Sequence, residues 1–135
     1  MEAFVRFVVP DVVHAESRMA IGVIALAYDL RDARETRAEV KAALQQALRW
    51  FETKLAVPDR FNRTSSKGWY RRKTRGISWL RSSATEHVAA MRRLGELVSA
   101  CGYRVAEIST DRVGYVIYED DAQVVAEPFR DTPTK

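Results

Sequence analysis

The chain has 135 residues, 47% of them hydrophobic and 30% charged, with a net charge of +4. That length suits a single domain whose core needs no metal or disulfide staple, and Cys101 has no second cysteine to pair with. No apolar run approaches the ~18–20 residues of a membrane helix, and the opening MEAFVRFVVP lacks the basic lead and long apolar stretch of a secretory signal, so the expected location is the cytoplasm.

Residues 3–9, AFVRFVV, are β-branched and aromatic, which predicts a strand ended by Pro10. Val5, Phe7 and Val9 share one face, with Phe4, Arg6 and Val8 on the other. Both faces are largely apolar, which places the strand inside a sheet. A helix is expected from a Ser17 cap through MAIGVIALAYDL to about Leu30, although Gly22 and the β-branched residues favour a competing strand there. Thr36 and Glu39 have the spacing of a capping box. Val40, Leu44, Ala47, Leu48, Phe51 and Leu55 then mark one face of a helix that ends before Pro58.

Residues 57–81 lack helical periodicity and read as a long loop, with a short strand around Ile77 to Leu80. Ser83 and Glu86 form a second capping box. Val88, Met91, Leu94, Val98 and Cys101 follow on one helical face, stopped by Gly102. Three short strands, Tyr103 to Ser109, Gly114 to Tyr118 and Gln123 to Glu127, read as a meander, and the tail 130–135 is expected to fray. The order β-α-α-loop-α-β-β-β predicts an α+β domain spanning 1–135. Its antiparallel sheet, the first strand plus the C-terminal meander, carries about three helices on one face. A C-terminal strand at an open sheet edge would pair across a homodimer.

Charge is the most uneven feature. The 22 residues from Arg60 to Arg81 hold eight basic side chains and no acid, whereas the other 113 carry 14 basic and 18 acidic ones, a net of −4. Arg60, Arg63, Lys67, Arg71, Arg72, Lys73, Arg75 and Arg81 repel one another unless counter-charge is near. Six of the eight are Arg, which matches phosphate with a planar fork, and Trp69 and Tyr70 lie among them. Aromatic rings interleaved with cations suit single-stranded nucleic acid: the charges follow phosphates and the rings stack on bases. No helix-turn-helix, zinc-finger or RNP spacing is present, so the expected partner is RNA or single-stranded DNA rather than duplex. In a second reading the loop docks an acidic protein, as an inhibitor or assembly subunit would. A blander one sets the loop against the chain's own acids, Asp111, Glu119, Asp120, Asp121 and Glu127. Arg81 followed by Ser82-Ser83-Ala84-Thr85 at a helix start also suggests a local phosphate site with Ser83, set against a plain serine cap.

Catalytic signals are thin. His14, His87 and Cys101 have no metal-ligand spacing, so neither a metal nor any other cofactor is expected. His87 is the candidate general base of a ribonuclease-like alternative, but Glu86, adjacent on a helix, cannot readily orient it. Glu119-Asp120-Asp121 would need partners from other elements to hold Mg²⁺. Ser65-Ser66-Lys67-Gly68 lacks the phosphate-loop pattern, and Cys101 reads as core.

Overall fold

The computed structural model describes residues 2–13, 19–56 and 76–133. Strand β1 (Phe4–Val13) is the spine of an antiparallel sheet. Its alternation is as predicted: Val5, Phe7 and Val9 are buried with the helices, while Val8 is buried in a second cluster on the opposite face. Pro10 does not end the strand. It lies where the pairing with β2 (Ala20–Gly22) shifts register between Val9 and Val13. A proline is tolerated at such an irregularity, where the regular ladder does not require its missing N–H.

The helix expected from Ser17 starts later. Ile21 and Gly22 pair with Val9 and Val8, and α1 runs only over Val23–Asp32 with Gly22 as its N-cap. Of the residues that argued against a helix, Ile21 and Gly22 lie in the strand, whereas Val23 and Ile24 open α1. Helix α2 spans Ala38–Lys54 and buries Leu44, Leu48 and Phe51; α3 spans Thr85–Ala100 and buries Val88, Met91, Leu94 and Val98. Both helices begin one residue beyond the expected capping boxes. Their N-caps are Arg37 and Ala84, neither making a side-chain cap bond, so Thr36 and Ser83 stand outside the capping position. At the far end of α3 the stop signal holds: Gly102 adopts φ 100° and donates its N–H to the Ser99 carbonyl at 2.9 Å.

Strands β3 (Ile77–Arg81), β4 (Ala106–Thr110), β5 (Tyr115–Glu119) and β6 (Gln123–Glu127) complete a six-stranded sheet. The last three do not form a simple meander. β5 and β6 make a hairpin and β6 lies beside β3, but β4 pairs along β1, with Thr110–Ala106 opposite Phe4–Val8. The other edge of β1 is shared end to end: β3 pairs with Phe4 and Val5, and β2 with Val8 and Val9. The strand path is therefore β4-β1-β3-β6-β5.

This path has a geometric consequence. β4 and β5 lie at opposite ends of it, four strand spacings or about 19 Å apart in a flat sheet. They are joined only by Asp111–Gly114, whose full extension from Thr110 to Tyr115 is about 17 Å. The sheet must therefore curl, and it does so around its second face. There Trp79, Val8, Val124 and Ala126 are buried together with Ile108 of β4 and Val113 of the connection. The three helices cover the first face, where Val5, Phe7, Val9 and Leu80 meet their buried residues. At the end of the described chain, Thr132 is buried and donates from its hydroxyl to the Arg112 carbonyl at 3.2 Å, closing against the same connection. Among the described residues no helix is long and apolar enough to cross a membrane.

Candidate anion-binding site

Of the residues expected to contact an anion, Arg60, Arg63, Lys67, Trp69, Tyr70, Arg71, Arg72, Lys73 and Arg75 lie outside the described residues. His14 does too. What the structure builds is the root of that segment, where α2 and Ala56 lead in and Gly76 and β3 lead out.

A single buried side chain bridges the two roots. Gln123, at 2% exposure, donates its amide to the Ala56 carbonyl at 2.6 Å and accepts the Ser78 hydroxyl at 2.8 Å. Such a polar side chain is tolerated in the interior because both ends of its amide are satisfied. Beside it, Asp120 organises the β5–β6 turn. One carboxylate oxygen accepts the Ala122 and Gln123 N–H groups, both at 2.9 Å, and the other accepts the Tyr118 hydroxyl at 2.8 Å. Burial alone would raise the Asp120 pKa; these hydrogen bonds outweigh it and hold the carboxyl below its ordinary value. The Tyr118 hydroxyl, donating to that carboxylate and partly desolvated, is pushed up.

Arg81 is locked into the same corner. Its Nε donates to the Asp120 carbonyl at 2.7 Å, Nη1 to Glu2 at 2.6 Å and Nη2 to Glu119 at 2.7 Å. With its side chain only 17% exposed, this guanidinium ties together the N-terminus, β3 and the β5–β6 turn. Ser83 is exposed in the turn before α3. The structure thus does not converge Arg81 and Ser83 on a shared anion position: these three donors go to a backbone carbonyl and to two acids of the same chain, of which Glu119 was among the expected counter-charges. Sequence spacing could show that Glu119 and Asp120 were available as counter-charge. It held no signal for Glu2, which is 79 positions away from Arg81, or for Gln123 as the bridge.

The other candidates are placed as clearly. His87 donates its Nε2–H to the Lys54 carbonyl at 2.8 Å, and its ring packs edge-on against Trp50 with centroids 5.0 Å apart. It thereby satisfies one of the otherwise unpaired carbonyls at the end of α2, leaving Nδ1 as the ring's acceptor in the neutral form. Trp50 and Trp79 are packing residues, the latter fully buried and, among the described residues, with no partner for its Nε1. Cys101 is half-buried. Among the described residues no three His, Cys, Asp or Glu side chains gather as a metal site would require.

No family model, curated protein or solved structure matches this chain.

Proposed function

We propose that the protein binds RNA or single-stranded DNA through the segment between Ala56 and Gly76. Its seven Arg and Lys residues would follow the phosphates, with Trp69 and Tyr70 stacking on bases. The observation that carries this reading is the absence of any acid over 22 residues holding eight cations. A second observation supports it: two of the chain's own candidate counter-charges are already committed. Glu119 pairs with Arg81, and the Asp120 carboxylate is spent inside its own turn. Arg81 is neutralised at home by Glu2 and Glu119, so the seven upstream cations define the site.

Trp69→Ala tests the stacking part of the proposal. It is expected to weaken binding of a single-stranded oligonucleotide by about 1–3 kcal/mol with little change in the salt dependence, which the cations set. Equal binding by wild type and variant would remove stacking from the account. Selective co-purification of an acidic protein, with no affinity for oligonucleotides, would replace the nucleic acid by a protein partner. Cleavage of the oligonucleotide that is lost in His87→Ala would make the protein a ribonuclease.

A further inference from the structure

The strand path ends at β5, not at the last strand of the chain. β6 is flanked by β3 and β5, whereas among the described residues β5 pairs along one edge only. Its other edge therefore offers a row of backbone N–H and C=O groups to an incoming strand. Consecutive residues of a strand point to opposite faces, yet Tyr115 and Val116 are 60% and 48% exposed. This end of β5 is thus open on both faces, with the Tyr115 ring resting edge-on against Phe129.

Proteins ordinarily blunt such an edge with charge, proline or a covering element. From Val113 to Tyr118 the sequence is VGYVIY, with neither charge nor proline. β4, at the other end of the path, is a different kind of edge: it carries Glu107, held to Arg92 at 3.0 Å, with Ser109 and Thr110 beyond it. β2 offers only three residues. β5 has one irregularity, the register shift between Val116 and Tyr118, which adds twist to the strand. A two-stranded antiparallel ribbon is the pairing that carries the strongest twist.

We propose that β5 is the interface between two copies of this chain, the strand of one running antiparallel to that of the other about a two-fold axis near Val116 and Ile117. Charge selects a second copy in this orientation. The uncharged run is bounded by Arg112 on one side and by Glu119, Asp120 and Asp121 on the other. Glu119 is paired with Arg81 and the Asp120 carboxylate is spent inside its turn, whereas Asp121 is exposed. Arg112 and Asp121 lie about equally far from the centre of the strand. Antiparallel pairing therefore sets Arg112 of each copy beside Asp121 of the other, and the contact occurs twice; parallel pairing would bring the two acidic turns together. Arg112 already has Asp131 at 3.2 Å, but their side chains are 63% and 68% exposed, and a surface pair of this kind is weak enough to be shared. Because both copies use the same strand, the assembly closes at two. The proposal is independent of nucleic acid binding.

The test is sedimentation equilibrium of the full chain, freed of nucleic acid. One short strand pair buries less than a standard interface, so a monomer–dimer equilibrium with a dissociation constant of about 10–100 μM is expected. Val116→Lys puts a charge on the edge and should abolish the dimer, with the fold intact by near-UV circular dichroism. Arg112→Glu and Asp121→Arg should each weaken dimerisation by about fivefold or more, and the double variant should recover it to within about twofold of the wild type. Asp121 lies exposed in a turn, so the charge exchange tests the pairing even if Val116→Lys does not fold. A chain that stays monomeric at about 1 mM, growth beyond two copies, undiminished association in folded Val116→Lys, or a double variant no better than the single ones would overturn the assignment.

Discussion

Two residues in the C-terminal region carry more of the structure than their composition suggests. Gly114 adopts φ 119°, and a Cβ placed there would collide with the Glu127 carbonyl oxygen. Backbone, not a flexible side chain, fills the space, so Gly114→Ala adds a steric clash to a conformation that L-residues rarely adopt. It should cost more than about 2 kcal/mol in urea unfolding; a change below half a kilocalorie would show that the turn can relax. Asp120 works through charge. Its pKa is lower folded than unfolded because its hydrogen bonds outweigh its desolvation, so ionised Asp120 stabilises the fold. That contribution is fully present above the unfolded value of about 3.9 and is lost as pH falls through the lower, folded value. Asp120→Ala should therefore destabilise by about 1–2 kcal/mol at pH 7, by an amount that shrinks below pH 4. A pH-independent difference between wild type and variant would contradict this assignment of the charge.

The elements show what local pattern could and could not reveal. Amphipathic spacing predicted the buried faces of α2 and α3, because a 3.6-residue period is written in the residues themselves. It placed the start of each helix one residue early: Thr36 and Ser83 have the right chemistry, but tertiary packing set the first turn at Ala38 and Thr85. The strand at Ala20–Gly22 was legible only as the rival of a helix, since Ile21 is decided by its partner Val9, twelve positions away. β4 was likewise readable as a strand, but not as the neighbour of β1. Hairpin turns favour adjacent pairing, and nothing local announces that Val113 will carry the chain across a curled sheet. Gln123 was the least legible. A glutamine opening a strand is unremarkable until Ala56 and Ser78 arrive on either side of it. Gln123→Leu fills a similar volume yet strands the Ala56 carbonyl. It should cost about 1–3 kcal/mol and speed amide exchange at the end of α2 and in β3. Unchanged exchange there would mean that Gln123 does not hold the root of the basic segment.

For the whole molecule, the fold is a curled antiparallel sheet with helices over one face and a second apolar cluster inside the curl. A mildly acidic body thus carries one strongly basic insertion between α2 and β3. Charge asymmetry of this kind could be read directly from the sequence, whereas the fate of Arg81 could not, because its partners come from both ends of the chain. The most direct test of the proposed function is fluorescence anisotropy of labelled single-stranded RNA and DNA at two salt concentrations. It would compare the wild type with an Arg71→Ala/Arg72→Ala/Lys73→Ala variant. Removing three phosphate-contacting cations should flatten the slope of log K against log salt by about 2 for single strands and abolish binding at the higher salt. Micromolar affinity that falls with salt and is lost in the variant is the predicted result; no binding by the wild type at low salt would contradict it.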